Sequence, residues 1–129
     1  MARDARVEMD WADGTYAFRL AWGQLSELQE KCDAGPYVVL GRLQTGQWRV
    51  EDVSNVIRLG LIGGGLEPIK ALKLVRTYVE DRPPMESVLY AHGILSAALH
   101  GAPEEGVGET SGEASKNLTT SPMENSALD

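Results

Sequence analysis

The sequence predicts an α+β fold that is mostly α-helical, in which an N-terminal β-hairpin packs on four to five short helices. Two observations predict this fold class. Apolar residues recur with a period of two over residues 6–20 and with helical spacing between residues 22 and 100. From residue 102 the composition shifts to Gly, Glu, Ser, Thr and Pro, which buries too little apolar surface to offset the entropy of ordering. We therefore expect one domain over residues 1–101 and an acidic, disordered tail over residues 102–129.

The hairpin is predicted from two alternating runs with a turn sequence between them. Asp13-Gly14 is typical of tight hairpin turns, because such turns need a residue with positive φ. One face should carry the apolar residues Val7, Met9, Trp11, Tyr16, Phe18 and Leu20. A lone two-stranded hairpin is marginal in water, so this face must lie on the helices.

The first two helices are predicted from shorter patterns. A helix is expected near residues 22–32, ended by Gly35-Pro36, with an apolar stripe of Trp22, Leu25, Leu28 and Cys32. Residues 37–43 contain a β-branched run that could form a strand. Tyr37, Leu40 and Leu43 also fit a short helix ended by Gly46, and we favour the helix.

Three further helices are expected near residues 50–62, 68–80 and 84–100. Glu51 and Asp52 suit a first turn, where the helix dipole favours acids, and Pro68 suits a first helical position. Gly101 should cap the last helix. The expected inward residues are Val53, Val56, Ile57 and Gly60, then Ile69, Leu72, Val75 and Val79, then Val88, Ala91, Leu95 and Ala98.

The glycine-rich run over residues 60–65 has two interpretations. It resembles a phosphate-binding loop, but such a loop must follow a strand and open a helix. Here the preceding residues have helical spacing, so we interpret the glycines as a helix end followed by a flexible corner. We expect no nucleotide to bind there.

Charge and composition exclude several classes of protein. The net charge is -7, with 11 Lys/Arg and 13 Asp/Glu in residues 1–100, so the domain lacks the basic excess of a nucleic-acid binder. No apolar run is long enough to span a membrane, and the N-terminus has no signal-peptide pattern. We therefore expect a soluble, cytoplasmic protein.

No catalytic, cofactor or metal site is expected. His92 and His100 are eight residues apart on one helix, which places them about 12 Å apart along its axis. His100 suits a helix C-terminus, where a cation is favoured. Cys32, the single cysteine, lies on an apolar stripe and should behave as a small hydrophobic residue. We therefore expect a non-enzymatic protein with no cofactor.

Two features are candidates for protein binding. Lys70, Lys73 and Arg76 form a basic ridge at spacings i, i+3 and i+6, which is either a solvated helix face or a docking ridge for an acidic or helical partner. Trp48 precedes the third helix, where it either packs back on that helix as a staple or marks an exposed interface.

Several segments follow one another in a recognisable order. They are Arg49-Val50-Glu51-Asp52-Val53, the glycine run from Gly60 to Gly65, the stretch from Pro68 to Val75, and a closing helix between Pro84 and Gly101. With the Asp13-Gly14 hairpin, this set resembles the gene-transfer-agent family of small phage tail proteins, often classed with tail assembly chaperones. The resemblance covers about residues 6–101.

The resemblance implies a role in building a phage-like tail. The main expectation is a chaperone that binds the long tape-measure protein before tail-tube subunits polymerise around it. The alternative is a structural component of the tail in the particle. Tail-tube subunits and further copies of this chain are the other partners considered, and the family supplies no catalytic residues.

Overall fold

The computed structural model describes residues 5–101, which form a two-stranded hairpin and five α-helices. In chain order these are β1 (Val7–Trp11), β2 (Gly14–Phe18), α1 (Trp22–Cys32), α2 (Pro36–Thr45), α3 (Val50–Gly63), α4 (Pro68–Val75) and α5 (Met85–His100). A π-helical turn, Arg76–Glu80, extends α4. The predicted fold class is confirmed, and residues 37–43 are helical. The tail predicted over residues 102–129 lies outside the described residues.

The hairpin presents one apolar face to the helices, as predicted. β1 and β2 are antiparallel, with Val7 opposite Phe18. The Trp11 ring meets the rings of Tyr16 and Phe18 edge-on, with centroid distances of 5.8 and 5.7 Å. It also meets Tyr78 of the π-helical turn at 6.1 Å. These aromatic contacts join the hairpin to the end of α4.

The hairpin turn differs from the prediction by one residue. Trp11 pairs with Gly14, so the two turn residues are Ala12 and Asp13. Ala12 takes the positive φ, 57°, that the sequence predicts for the Asp-Gly pair. The Tyr16 hydroxyl donates a hydrogen bond to Asp13 Oδ1. This side-chain bond helps to fix the turn although glycine does not occupy the strained position.

α3 lies at the centre of the domain and contacts α1, α4, α5 and β2. Its residues Val53, Val56 and Ile57 are buried, as their helical spacing predicts. The core extends from Phe18 of the hairpin to Leu95 of α5, both fully buried. Burial of this apolar surface is the main stabilising contribution to the fold.

Three residues predicted to face inward are exposed instead. Trp22, Tyr37 and Ile69 have exposed fractions of 87%, 74% and 64%. Each occupies the first or second position of its helix, in α1, α2 and α4 respectively. Helical periodicity gives the direction of a side chain around the axis, but not where the covering element ends. The first turns of these helices leave those side chains uncovered.

The glycine-rich run ends α3, which confirms the helix-end interpretation. Gly65 has a φ of 113°, a region that favours glycine. Its N–H donates to the carbonyl of Ile62, and the N–H of Leu66 donates to the carbonyl of Leu61, both at 3.0 Å. These two bonds form a Schellman ending. Because a helix precedes the glycines, the strand–loop–helix geometry of a phosphate loop is not present there.

The corner at these glycines, expected to be flexible, is closely packed at Gly63 and Gly64. A Cβ atom at Gly63 would lie 1.8 Å from the carbonyl oxygen of Arg19, and one at Gly64 would lie 2.0 Å from that of Ala17. The N–H of Arg19 also donates to the carbonyl of Gly60 at 2.9 Å. The end of α3 is therefore packed directly against the backbone that leaves β2.

Candidate interaction surfaces

The basic ridge predicted on α4 lies on the surface. Lys70, Lys73 and Arg76 are all exposed. Lys70 and Lys73 belong to α4, and Arg76 begins the π-helical turn. Within residues 5–101, none of the three takes part in an ion pair. The three cations are thus available to solvent, and their role in protein binding stays a prediction.

Trp48 lies at the position before the N-cap of α3, which is Arg49. Its side chain is partly buried and packs against the core. The side chain of Asp52, at the third helical position, accepts a hydrogen bond from the Arg49 N–H at 2.9 Å. This arrangement favours the staple interpretation of Trp48. Its proposed role in binding a partner stays a prediction.

The most exposed aromatic residues lie beside an apolar groove, which we call the Trp22–Tyr37 groove. It has a volume of about 350 Å³ and lies where the start of α1, the start of α2 and the end of α5 meet. Its described lining consists of Trp22, Leu25, Ser26, Gln29, Pro36, Tyr37 and Leu99. None of these residues is charged. Sequence reasoning missed this surface because it assigned Trp22 and Tyr37 to buried stripes.

A second groove, the Val50–Pro84 groove, lies at the start of α3. It has a volume of about 340 Å³, and its apolar lining consists of Val50, Val53, Val79 and Pro84. Glu51, Ser54, Glu80 and Arg82 also line it. Val50 is 58% exposed. Met85, which follows Pro84, and Leu89 one turn later are 71% and 80% exposed. Exposed apolar side chains therefore occur in the groove and in the first turns of α5.

A family model described as "Phage tail tube protein, GTA-gp10" matches residues 4–101. The chain belongs to this family. The match confirms the resemblance to gene-transfer-agent tail proteins and spans the whole described domain. No curated protein and no solved structure matches the chain.

In this member of the tail tube family, two of the residues considered above for a catalytic role, Cys32 and His100, differ in their exposure to solvent. Cys32 is buried, whereas His100 is exposed and its Nδ1 lies 3.1 Å from the carbonyl oxygen of Ser96. Over residues 5–101, no group of three or more His, Cys, Asp or Glu side chains could hold a metal ion. Over the same residues, no helix has the length and apolar character needed to cross a membrane.

A buried ion pair joins three helices of this family domain. Arg42 on α2 donates to Asp52 Oδ1 on α3 at 3.0 Å and to the carbonyl of Cys32, the last residue of α1, at 3.3 Å. The Asp52 side chain is fully buried. The sequence indicated the helix-start role of Asp52, but nothing in the spacing pointed to Arg42 as its partner. Each charge offsets the cost of burying the other, so the pair stabilises the junction of the three helices.

We expect the Cys32 thiol to be unreactive in the folded protein. Burial, together with the nearby Asp52 carboxylate, raises the pKa of this thiol to about 12. Because each pKa unit changes the thiolate fraction tenfold, reaction with a thiol reagent at pH 8 should be about a thousandfold slower than in the unfolded chain. The measurement compares labelling rates in buffer and in urea. Equal rates in the two conditions would contradict this assignment.

Proposed function

We propose that this protein is a structural subunit of a phage-like tail, associating with other tail-tube subunits. The match of the whole described domain to a phage tail tube family carries this proposal. Two apolar grooves on the surface support it, because contiguous exposed apolar patches mark interaction sites in soluble proteins. A structural subunit needs such surfaces and needs no catalytic centre.

The proposed role is non-enzymatic. Cys32 is buried and protonated at neutral pH, so it is a poor nucleophile. His100 interacts with Ser96 at the end of α5, where a histidine stabilises the helix terminus. We therefore propose no substrate and no cofactor. The protein would act in the tail of the particle, after assembly in the cytoplasm of the producing cell.

The chaperone role remains a second candidate, with the tape-measure protein as partner. One observation favours it: the Trp22–Tyr37 groove is apolar, and such a groove can take the apolar face of an amphipathic helix. The family description names a tail tube protein, which supports the structural role better than the chaperone role.

Quantitative mass spectrometry of purified particles tests the proposal. A structural subunit should be present at a copy number comparable to that of the other tail-tube components. Disruption of its gene should yield particles without complete tails. Absence of the protein from particles would overturn the structural role. Absence combined with an insoluble tape-measure protein in the disrupted strain would support the chaperone.

A further inference from the structure

We infer that copies of this chain associate head to tail, with the Trp22–Tyr37 groove of one copy against the Val50–Pro84 groove of the next. The inference rests on the proposed function and names the surfaces through which the subunits meet. Neither groove was predicted from the sequence as a binding site. Four arguments support the pairing: the position of the grooves, their chemistry, the area that they can bury and the symmetry of the contact.

The two grooves lie at opposite ends of the domain. Leu99, near the C-terminus of α5, lines the Trp22–Tyr37 groove, whereas Pro84, just before α5 begins, lines the other. At a rise of 1.5 Å per residue, the two residues are about 22 Å apart along the helix axis. A domain of this size has a radius of gyration of about 13 Å. The separation exceeds this radius, so the two grooves lie toward opposite ends of the domain.

The chemistry of one groove complements that of the other. Trp22 and Tyr37 each combine an apolar ring with one polar tip, an indole N–H and a phenol O–H, that can donate a hydrogen bond. The Val50–Pro84 groove has an apolar floor, and the carboxylates of Glu51 and Glu80 at its edge can accept such bonds. In the part of the chain that the structure describes, neither carboxylate takes part in an ion pair.

The exposed apolar side chains are large enough to contribute a substantial part of an interface. Trp22 and Tyr37 are 87% and 74% exposed. An aromatic side chain buries about 150–250 Å², so at these exposed fractions the two together supply about 240–400 Å². A stable interface buries about 800 Å² on each partner. The two rings would thus provide between about a third and a half of one side, and the remaining groove residues would add to it.

Symmetry favours this pairing over contact between identical grooves. Two Trp22–Tyr37 grooves in contact would place aromatic donors opposite one another and form a closed dimer. Such a dimer would leave the Val50–Pro84 groove of both copies in water. A contact between different grooves covers both surfaces and adds a further copy at each step, which gives a ring or a filament. Growth by repeated addition is what a subunit of a tube requires.

The test uses the full chain and two variants that each damage one groove. Trp22→Ser/Tyr37→Ser removes the two exposed rings. Val50→Asp places a charge in the other groove, at a first helical position where an acid is compatible with the helix. Ile69→Ser is the matched control, because Ile69 is an exposed apolar residue that lines neither groove. Circular dichroism should show that all three variants keep the helical fold.

Sedimentation velocity over a range of concentrations then measures self-association. The original chain and Ile69→Ser should associate equally, and each groove variant should associate at least about tenfold more weakly, since interface aromatics are often binding hot spots. A mixture of the two groove variants should form a one-to-one complex and nothing larger. In that mixture each variant retains one intact groove for the other.

Three outcomes would overturn the inference. They are an original chain that stays monomeric throughout, a control that weakens association as much as the groove variants do, or a mixture that stays monomeric while the original chain associates. None of these depends on particle content, so the inference can fail while the proposed function stands. Conversely, absence from particles with head-to-tail association intact would overturn only the proposed function.

Discussion

Replacing Gly63 by alanine should destabilise the domain by about 3 kcal/mol or more. The added Cβ would lie 1.8 Å from the carbonyl oxygen of Arg19 and 2.9 Å from its carbonyl carbon. These are backbone atoms, which cannot change rotamer as a flexible side chain can. Either α3 or the residues that follow β2 must therefore shift, and such overpacking costs about 1–3 kcal/mol or more. In a domain of about 100 residues, this loss lowers the melting temperature by more than about 10 °C.

Thermal unfolding followed by circular dichroism measures the effect, with a second glycine as control. Gly41 lies inside α2, and a Cβ built there meets nothing within 4 Å outside its own helix backbone. Gly41→Ala should therefore stabilise the protein by about 0.5–1 kcal/mol, because alanine is the better helix former.

Gly64→Ala should behave like Gly63→Ala, since its Cβ would lie 2.0 Å from the carbonyl oxygen of Ala17. Equal stabilities of the Gly63 and Gly41 variants would show that the approach of β2 to α3 is not close.

Features set by neighbouring residues could be predicted from the sequence. Gly46 ends α2 with a φ of 80°, and Gly101 ends α5 with a φ of 87°, both as expected from glycine's access to the left-handed region. The bounds of α1 were predicted at the observed residues, but the predicted terminator, Gly35-Pro36, is wrong: Asp33, with a φ of 54°, ends α1, and Gly35-Pro36 begins α2. These signals operate within a few residues, so one sequence contains all the information that they need.

Features set by distant parts of the chain could not be predicted in this way. The carbonyl of Arg19 limits Gly63 to glycine, but the two residues are brought together only by packing. The exposure of Trp22 depends on where the elements around α1 end. For the same reason the Trp22–Tyr37 groove could not be anticipated, since its residues come from three helices that are separate in the sequence.

Replacing Asp52 by alanine should destabilise the domain by about 3 kcal/mol. Asp52 is fully buried and accepts hydrogen bonds from the Arg42 guanidinium at 3.0 Å and from the Arg49 N–H at 2.9 Å. Removal of one partner of a buried pair leaves the other charge uncompensated, which costs about 3–5 kcal/mol. Arg42 retains slight solvent access, with 14% of its side chain exposed, so the lower end applies. Urea unfolding monitored by circular dichroism gives the loss directly.

A double-mutant cycle separates the ion pair from the other contacts of these residues. Arg42→Met keeps much of the side-chain volume and removes the charge, so the double variant Arg42→Met/Asp52→Ala contains no uncompensated charge. It should lose less free energy of unfolding than the sum of the two single losses, and the difference should exceed about 1 kcal/mol for groups in direct contact. The Asp52→Asn variant keeps an acceptor for the Arg49 N–H and should fall between the original chain and Asp52→Ala. Coupling arises only if each charge offsets the cost of burying the other. Strictly additive losses would therefore mean that Arg42 and Asp52 stabilise the junction of α1, α2 and α3 independently.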